Sequence, residues 1–210
     1  MARKARSSGK AKGGRQSPPR DPVDAALALA AERGWRETTL RDIAERSGRG
    51  LAELYRDYPG KGAILAAFMA RIDERVLAGA ETDIGDGESP RDRLFEVIMR
   101  RFDALAPHRE ALRAILRDLG RDPVALCEFA AGPARRSLAI MLTAAGLDAG
   151  GLAGLLRRKG LGVIYADTFR VWLNDESADQ ARTMAHLDRR LRQAEQALAW
   201  RRRAAETATA

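Results

Sequence analysis

Residues 48–61 read GRGLAELYRDYPGK and concentrate the side chains of this sequence that could do chemistry. Arg49, Arg56 and Lys61 offer charged donors, Tyr55 a hydroxyl, and Glu53 and Asp57 acceptors, all in or beside one short segment. Cationic and hydroxyl donors along a helix edge hold phosphate oxygens, and a carboxylate there can accept from cytosine N4 in a major groove. Within residues 49–58, however, Arg49 and Arg56 are cancelled by Glu53 and Asp57. Phosphate contacts supply much of protein–DNA affinity, so such a segment is a weak electrostatic binder by itself.

Other chemistries find no foothold. His108 and His186 lie far apart, with no Cys, Asp or Glu at a metal-ligand spacing, so no metal site is expected. There is no G-x-S-x-G nucleophile turn and no phosphate-binding glycine loop, so no catalytic residue, enzyme activity or cofactor is expected. Cys127 is alone, which precludes an internal disulfide and suits a reducing, cytoplasmic setting. No apolar run approaches the about 18–20 residues of a membrane span, so stable membrane insertion is not expected.

The net charge is +8, and seven basic side chains in residues 1–20, with no acid among them, account for all but one of those charges. Rich in Gly, Ser and Pro, that segment reads as a disordered basic arm. Arg15 and Arg20 are its candidates for tracking phosphates or entering a minor groove beside the domain.

The elements that would position these groups are helical. The chain is 45% hydrophobic with only 5% aromatic residues, and its many Ala, Leu and Arg favour helices over strands. Asp21 and Pro22 open a first helix that runs to Gly34. Thr39 and Asp42 form a capping box for a short second helix, Leu40 to Ser47, stopped by Gly48. A third, about 50 to 57, ends before Pro59, and Leu51, Leu54 and Tyr58 are expected to form its packed stripe. Two short helices split by a glycine turn after a longer one match a helix-turn-helix.

Longer helices follow. They are expected at Lys61 to Leu77, from Ser89 and Pro90, from Pro107 to Leu119, from Asp122 and Pro123 with a break or kink at Gly132 and Pro133, over 150–173, and from Ser177 to about Arg203. The expected fold is all-α, with about nine helices. Residues 1–20 would form the arm, 21–66 the helix-turn-helix domain, 67–203 a larger helical domain and 204–210 a tail.

Residues 21–68 resemble the N-terminal domain of the TetR family of transcriptional regulators. The resemblance is carried by AALALAAERGW, TTLRDIAERSG and LYRDYPGKGAIL, with Leu54, Tyr55, Arg56, Pro59 and Lys61 on the family's positions. It implies a homodimer that binds double-stranded DNA, with dimer face and ligand pocket in the C-terminal domain. The DNA-contacting residues so expected are Thr39, Arg41, Arg49, Gly50, Leu51, Glu53, Tyr55, Arg56 and Lys61, joined by Arg15 and Arg20. Arg49, Gly50, Leu51, Ala52, Glu53 and Asp57 depart from the family's pattern, and all lie in or beside the reading helix.

A second resemblance, carried by DTFRVWLND (167–175) and TMAHLDRRL (183–191), is to the ubiquinone-biosynthesis lipid-binding proteins that share the TetR fold without acting as repressors. It implies an apolar pocket for a lipid. Phe95, Met99, Phe102, Phe129, Met141, Tyr165, Phe169 and Trp172 are the candidate lining residues, Tyr165 and Trp172 bringing polar handles. The stripe Met184, Leu187, Leu191, Ala194 and Leu198 on the basic last helix suits a dimer seam, with a membrane surface as the other occupant. Two functions stay open: a DNA-binding regulator, in the manner of a repressor released by an apolar ligand, and a lipid-binding accessory protein that has lost DNA binding.

Overall fold

The computed structural model of the chain describes residues 21–83 and 89–208, and among these it contains helices and no strand. The arm at 1–20, with Arg15 and Arg20, therefore lies outside the described residues. Ten α-helices follow in order: α1 Pro22–Arg33, α2 Leu40–Ser47, α3 Leu51–Asp57, α4 Lys61–Asp83, α5 Pro90–Leu105, α6 Arg109–Leu119, α7 Pro123–Phe129, α8 Arg135–Ala144, α9 Gly151–Leu173 and α10 Ala181–Ala208.

Local chemistry sets most of these boundaries. The Asp21 carboxylate accepts from the Val23 and Asp24 amides ahead of Pro22, and Gly34 closes α1 at φ 96°. Thr39 and Asp42 form the reciprocal capping box of α2, which ends at Gly48 in the left-handed region. Ser89 and Asp122, each followed by proline, cap α5 and α7 by accepting the amide three residues on, from Asp92 and Ala125. Between α7 and α8 the chain does not break: Pro133 sits in a π turn, Ala130–Ala134, that joins the two into one kinked helix.

Several boundaries differ from expectation: α4 runs on past Leu77 to Asp83 and α10 past Arg203 to Ala208. A 3-10 turn, Ala106–His108, precedes α6 and delays it past Pro107. The last helix starts at Ala181 rather than Ser177, because the Ser177 amide and hydroxyl both bond the Asp175 carboxylate and Gln180 adopts φ 54°.

α1, α2, α3 and the start of α4 form a small bundle around Val23, Ala26, Ala30, Ile43, Leu54, Ile64 and Phe68, continuous with a larger core of α4, α5, α6, α8, α9 and α10. Arg71 of α4 ties the bundle down by pairing with Asp21 at 2.9 Å and Asp24 at 2.8 Å. Part of the α10 stripe is spent inside the chain: Leu187 and Leu191 are buried and Met184 is half-buried against the core, with α10 lying on α5 and α9. This takes Leu187 and Leu191 out of the expected dimer seam, since those two side chains cannot face a second copy.

Candidate nucleic-acid interface

α3 is anchored by one side chain. Leu54 is fully buried, while Leu51 is 39% and Tyr55 58% exposed. The expected Leu51–Leu54–Tyr58 stripe therefore loses its first member: seven residues give less than two turns, and only Leu54 reaches the bundle. Tyr58 packs half-buried against the core. A helix advances about 100° per residue, which sets Ala52 and Arg56 opposite Leu54, with Leu51 and Tyr55 on one flank and Glu53 and Asp57 on the other. Tyr55 thus stands outward rather than packing at a helix junction.

The acidic flank is neutralised from within. Arg49 donates through Nε and Nη2 to Glu53 Oε1 at 3.0 and 2.6 Å, and through Nη2 to Asp57 Oδ2 at 2.8 Å. The two carboxylates hold the Arg49 pKa above its ordinary value, the Glu53 hydrogen bond most strongly. Arg41 and Arg56 are exposed and make no ion pair among the described residues. Gly50 caps α3 by its backbone alone.

Thr39 and Lys61 are committed to the fold before any DNA arrives. The Thr39 hydroxyl donates to Asp42 Oδ2 at 2.5 Å and accepts the Asp42 amide at 3.2 Å. With these bonds and Arg33 at 2.6 Å, the Asp42 pKa falls to about 2. The Lys61 ammonium donates to the Trp35 carbonyl at 2.6 Å and lies over the Trp35 ring at 5.1 Å. It is no solvated first-turn residue; burial lowers its pKa against the pull of Asp118 and Glu37. Lys61 thereby fastens the α1–α2 turn to the start of α4.

Sequence reasoning missed the contacts that fix the bundle internally and against α6. Asp118 of α6 accepts the Arg36 amide at 2.7 Å, and Arg46 of α2 makes a two-pronged bond to Glu32 of α1 at 2.8 and 2.6 Å. His186 also gains a partner across α9 and α10, its Nε2 lying 2.8 Å from Asp167, which Arg190 approaches at the same distance. None of these pairs falls at a spacing a helix would reveal.

The candidate pocket residues divide. Phe102 and Trp172 are fully buried and stacked at 5.3 Å, with Tyr165 and Phe169 completing a ring cluster; Met141 is likewise core. Met99 is buried and Phe95 half-buried on the same core. Phe129 instead borders a groove of about 740 Å³ that runs from Trp35 and Lys61 to the α6–α7 corner at Asp118, Asp122 and Pro123. A second groove, about 610 Å³, lies between α4 and the α7–α8 kink, lined by Met69, Asp73, Arg135, Arg136 and Arg158. Below it Arg101 pairs with Asp73, donates to Ser137 Oγ at 3.1 Å and to the Tyr165 hydroxyl at 3.1 Å.

Among the described residues no cluster of His, Cys, Asp and Glu could hold a metal ion, and no helix is long and apolar enough to cross a membrane.

Comparison with known proteins agrees with this arrangement. The family model for bacterial regulatory proteins, tetR family, matches residues 23–68, and that for COQ9 matches residues 141–197. The HTH-type transcriptional repressor KstR of Mycolicibacterium smegmatis is 33% identical over 72 residues, 34% of this chain and 35% of that protein. The chain spans between a third and a half of the length of the curated relatives it matches. A TetR transcriptional regulator from Nitrosomonas europaea superposes with a TM-score of 0.66 at 28% identity, over 83% of this chain and 95% of that one. The fold is also that of Thermus thermophilus FadR, a TetR-family repressor solved with lauroyl-CoA, at a TM-score of 0.56 and 20% identity over 81% of this chain and 90% of that one. Residues 23–68 thus match the tetR family of bacterial regulatory proteins, and the fold as a whole is similar to that of a TetR transcriptional regulator.

Proposed function

We propose that this protein is a DNA-binding transcriptional regulator acting as a repressor, which holds its operator as a homodimer and is released by an apolar ligand. The observation that carries this reading is the outward edge of α3, where Arg56 and Tyr55 stand free above a bundle anchored by Leu54. Thr39 and Lys61 support it indirectly, by fixing α2 and the turn before α4. Arg41 adds an exposed cation beside them.

A second copy fits α9. Leu152 and Leu156 are 75% and 61% exposed and Val163 65%, and a Cβ at Gly160 would meet nothing within 4 Å. At spacings of four and three along one helix face, these form an apolar stripe that a two-fold axis can pair with itself. The ligand would enter beside α4, where both grooves lie, because α4 joins the reading bundle to the core. A ligand that prefers the arrangement with the two reading heads misaligned lowers DNA affinity in proportion to that preference.

The COQ9 match over 141–197 favours a second reading, a lipid-binding accessory protein. One titration separates the two. The purified chain is added to duplex from its own upstream region and to random duplex across a range of salt. A regulator prefers the upstream fragment up to near-physiological salt; equal, weak binding that vanishes with salt would refute the regulator and leave the lipid-binding reading.

A further inference from the structure

Glu53 and Arg56 are three residues apart on α3, a spacing at which helix neighbours of opposite charge pair. They do not pair here. Glu53 is turned away to Arg49, which also takes Asp57, at 2.6 and 2.8 Å. Arg49 precedes the helix, held by its own amide bonding the Ala44 carbonyl at 3.0 Å, so its guanidinium reaches both carboxylates from the side. Arg56 is left exposed, opposite buried Leu54, with no ion pair among the described residues.

We propose that Arg49 is a positioning residue: by holding Glu53 and Asp57 on one flank, it leaves Arg56 as the outward donor of the reading helix, whose fork bonds O6 and N7 of a guanine. The inference rests on the proposed DNA-binding function. The physical reason is competition. An Arg fork satisfied by a neighbouring carboxylate must give up that pair to bond a base, whereas an unpaired fork gives up only water. The same clamp keeps the acids from facing phosphates as bare charges. A base contact at this position therefore depends on a residue that touches no base.

The test uses the full chain and a pool of random duplexes, followed by affinities for the selected duplex and for the same duplex with the guanine pair reversed. The wild-type chain selects a fixed G·C pair, and Arg56→Ala abolishes the preference there. Arg49→Ala lowers the discrimination roughly five- to a hundredfold, the scale of one two-pronged base contact. Adding Glu53→Ala and Asp57→Ala to Arg49→Ala restores it. If Arg49→Ala loses helicity by circular dichroism, Arg49→Gln takes its place, removing the charge while keeping much of the length. Unchanged discrimination in the Arg49 variant overturns the assignment. So does a triple variant that gains affinity for every duplex without regaining the preference, which would make Arg49 itself the DNA contact. A wild-type chain that enriches no sequence overturns the proposed function and this inference together.

Discussion

Asp73 and Arg101 carry opposite charges into the core, with 3% and 0% of their side chains exposed. Burial opposes the charge on Arg101, but Tyr165 and Asp73 outweigh it and raise the Arg101 pKa. Removing one partner leaves the other charged and unpaired in the interior, so Asp73→Asn is expected to cost about 3–5 kcal/mol by urea denaturation, whereas Asp73→Leu with Arg101→Met should cost much less. Asp175 makes a different case. Burial pushes its pKa up, yet bonds from Ser177 and Thr183 prevail and hold it well below the ordinary 3.8. Its stabilisation is therefore complete above that value and is lost as pH falls below it toward the folded value. Asp175→Asn should lower stability at pH 7 and flatten the loss below about pH 4, which urea midpoints across pH would measure. The capping pair Thr39 and Asp42 was legible in the sequence because its partners are three residues apart. Asp73 with Arg101, Asp175 with Thr183 and Asp167 with His186 were not, since their spacings of 28, 8 and 19 residues belong to the tertiary fold.

Helix boundaries followed the sequence wherever a cap or a glycine set them, and shifted where a loop carboxylate captured the backbone, as at Ser177. Gly48 shows what such a residue does for its element. It adopts φ 71° at the end of α2 with open space where a Cβ would go, so Gly48→Ala meets only backbone strain. A loss of about 1 kcal/mol is expected from the left-handed conformation. Gly132, in the π turn and equally open, has no such conformation, and Gly132→Ala should be neutral or slightly stabilising. Thermal midpoints of the two variants distinguish these outcomes. The third helix is where pattern reading failed, because apolar spacing gives the faces of a helix but not which of them a seven-residue element manages to bury. Leu51 lies at the packing spacing and remains 39% exposed.

At the scale of the whole molecule, the all-α class and the helix-turn-helix were legible, since composition, periodicity and local motifs all pointed one way. The apolar surface available to a partner was not. Leu187 and Leu191 of the heptad-like stripe on α10 are consumed within the chain, while α9 holds out Leu152, Leu156 and Val163. Charged substitutions there, Leu152→Asp with Leu156→Asp, should convert a dimer to a monomer in sedimentation velocity with helicity unchanged; an unaltered sedimentation coefficient would place the two-fold elsewhere. The central claim, that two copies of this neutral reading helix hold one DNA site, is tested most directly by footprinting the chain on its own upstream DNA at near-physiological salt. The account predicts one protected, two-fold symmetric segment whose half-sites lie about one helical turn or a multiple apart, and its disappearance in Arg56→Ala. Protection that is absent, or spread evenly along the duplex, would contradict it.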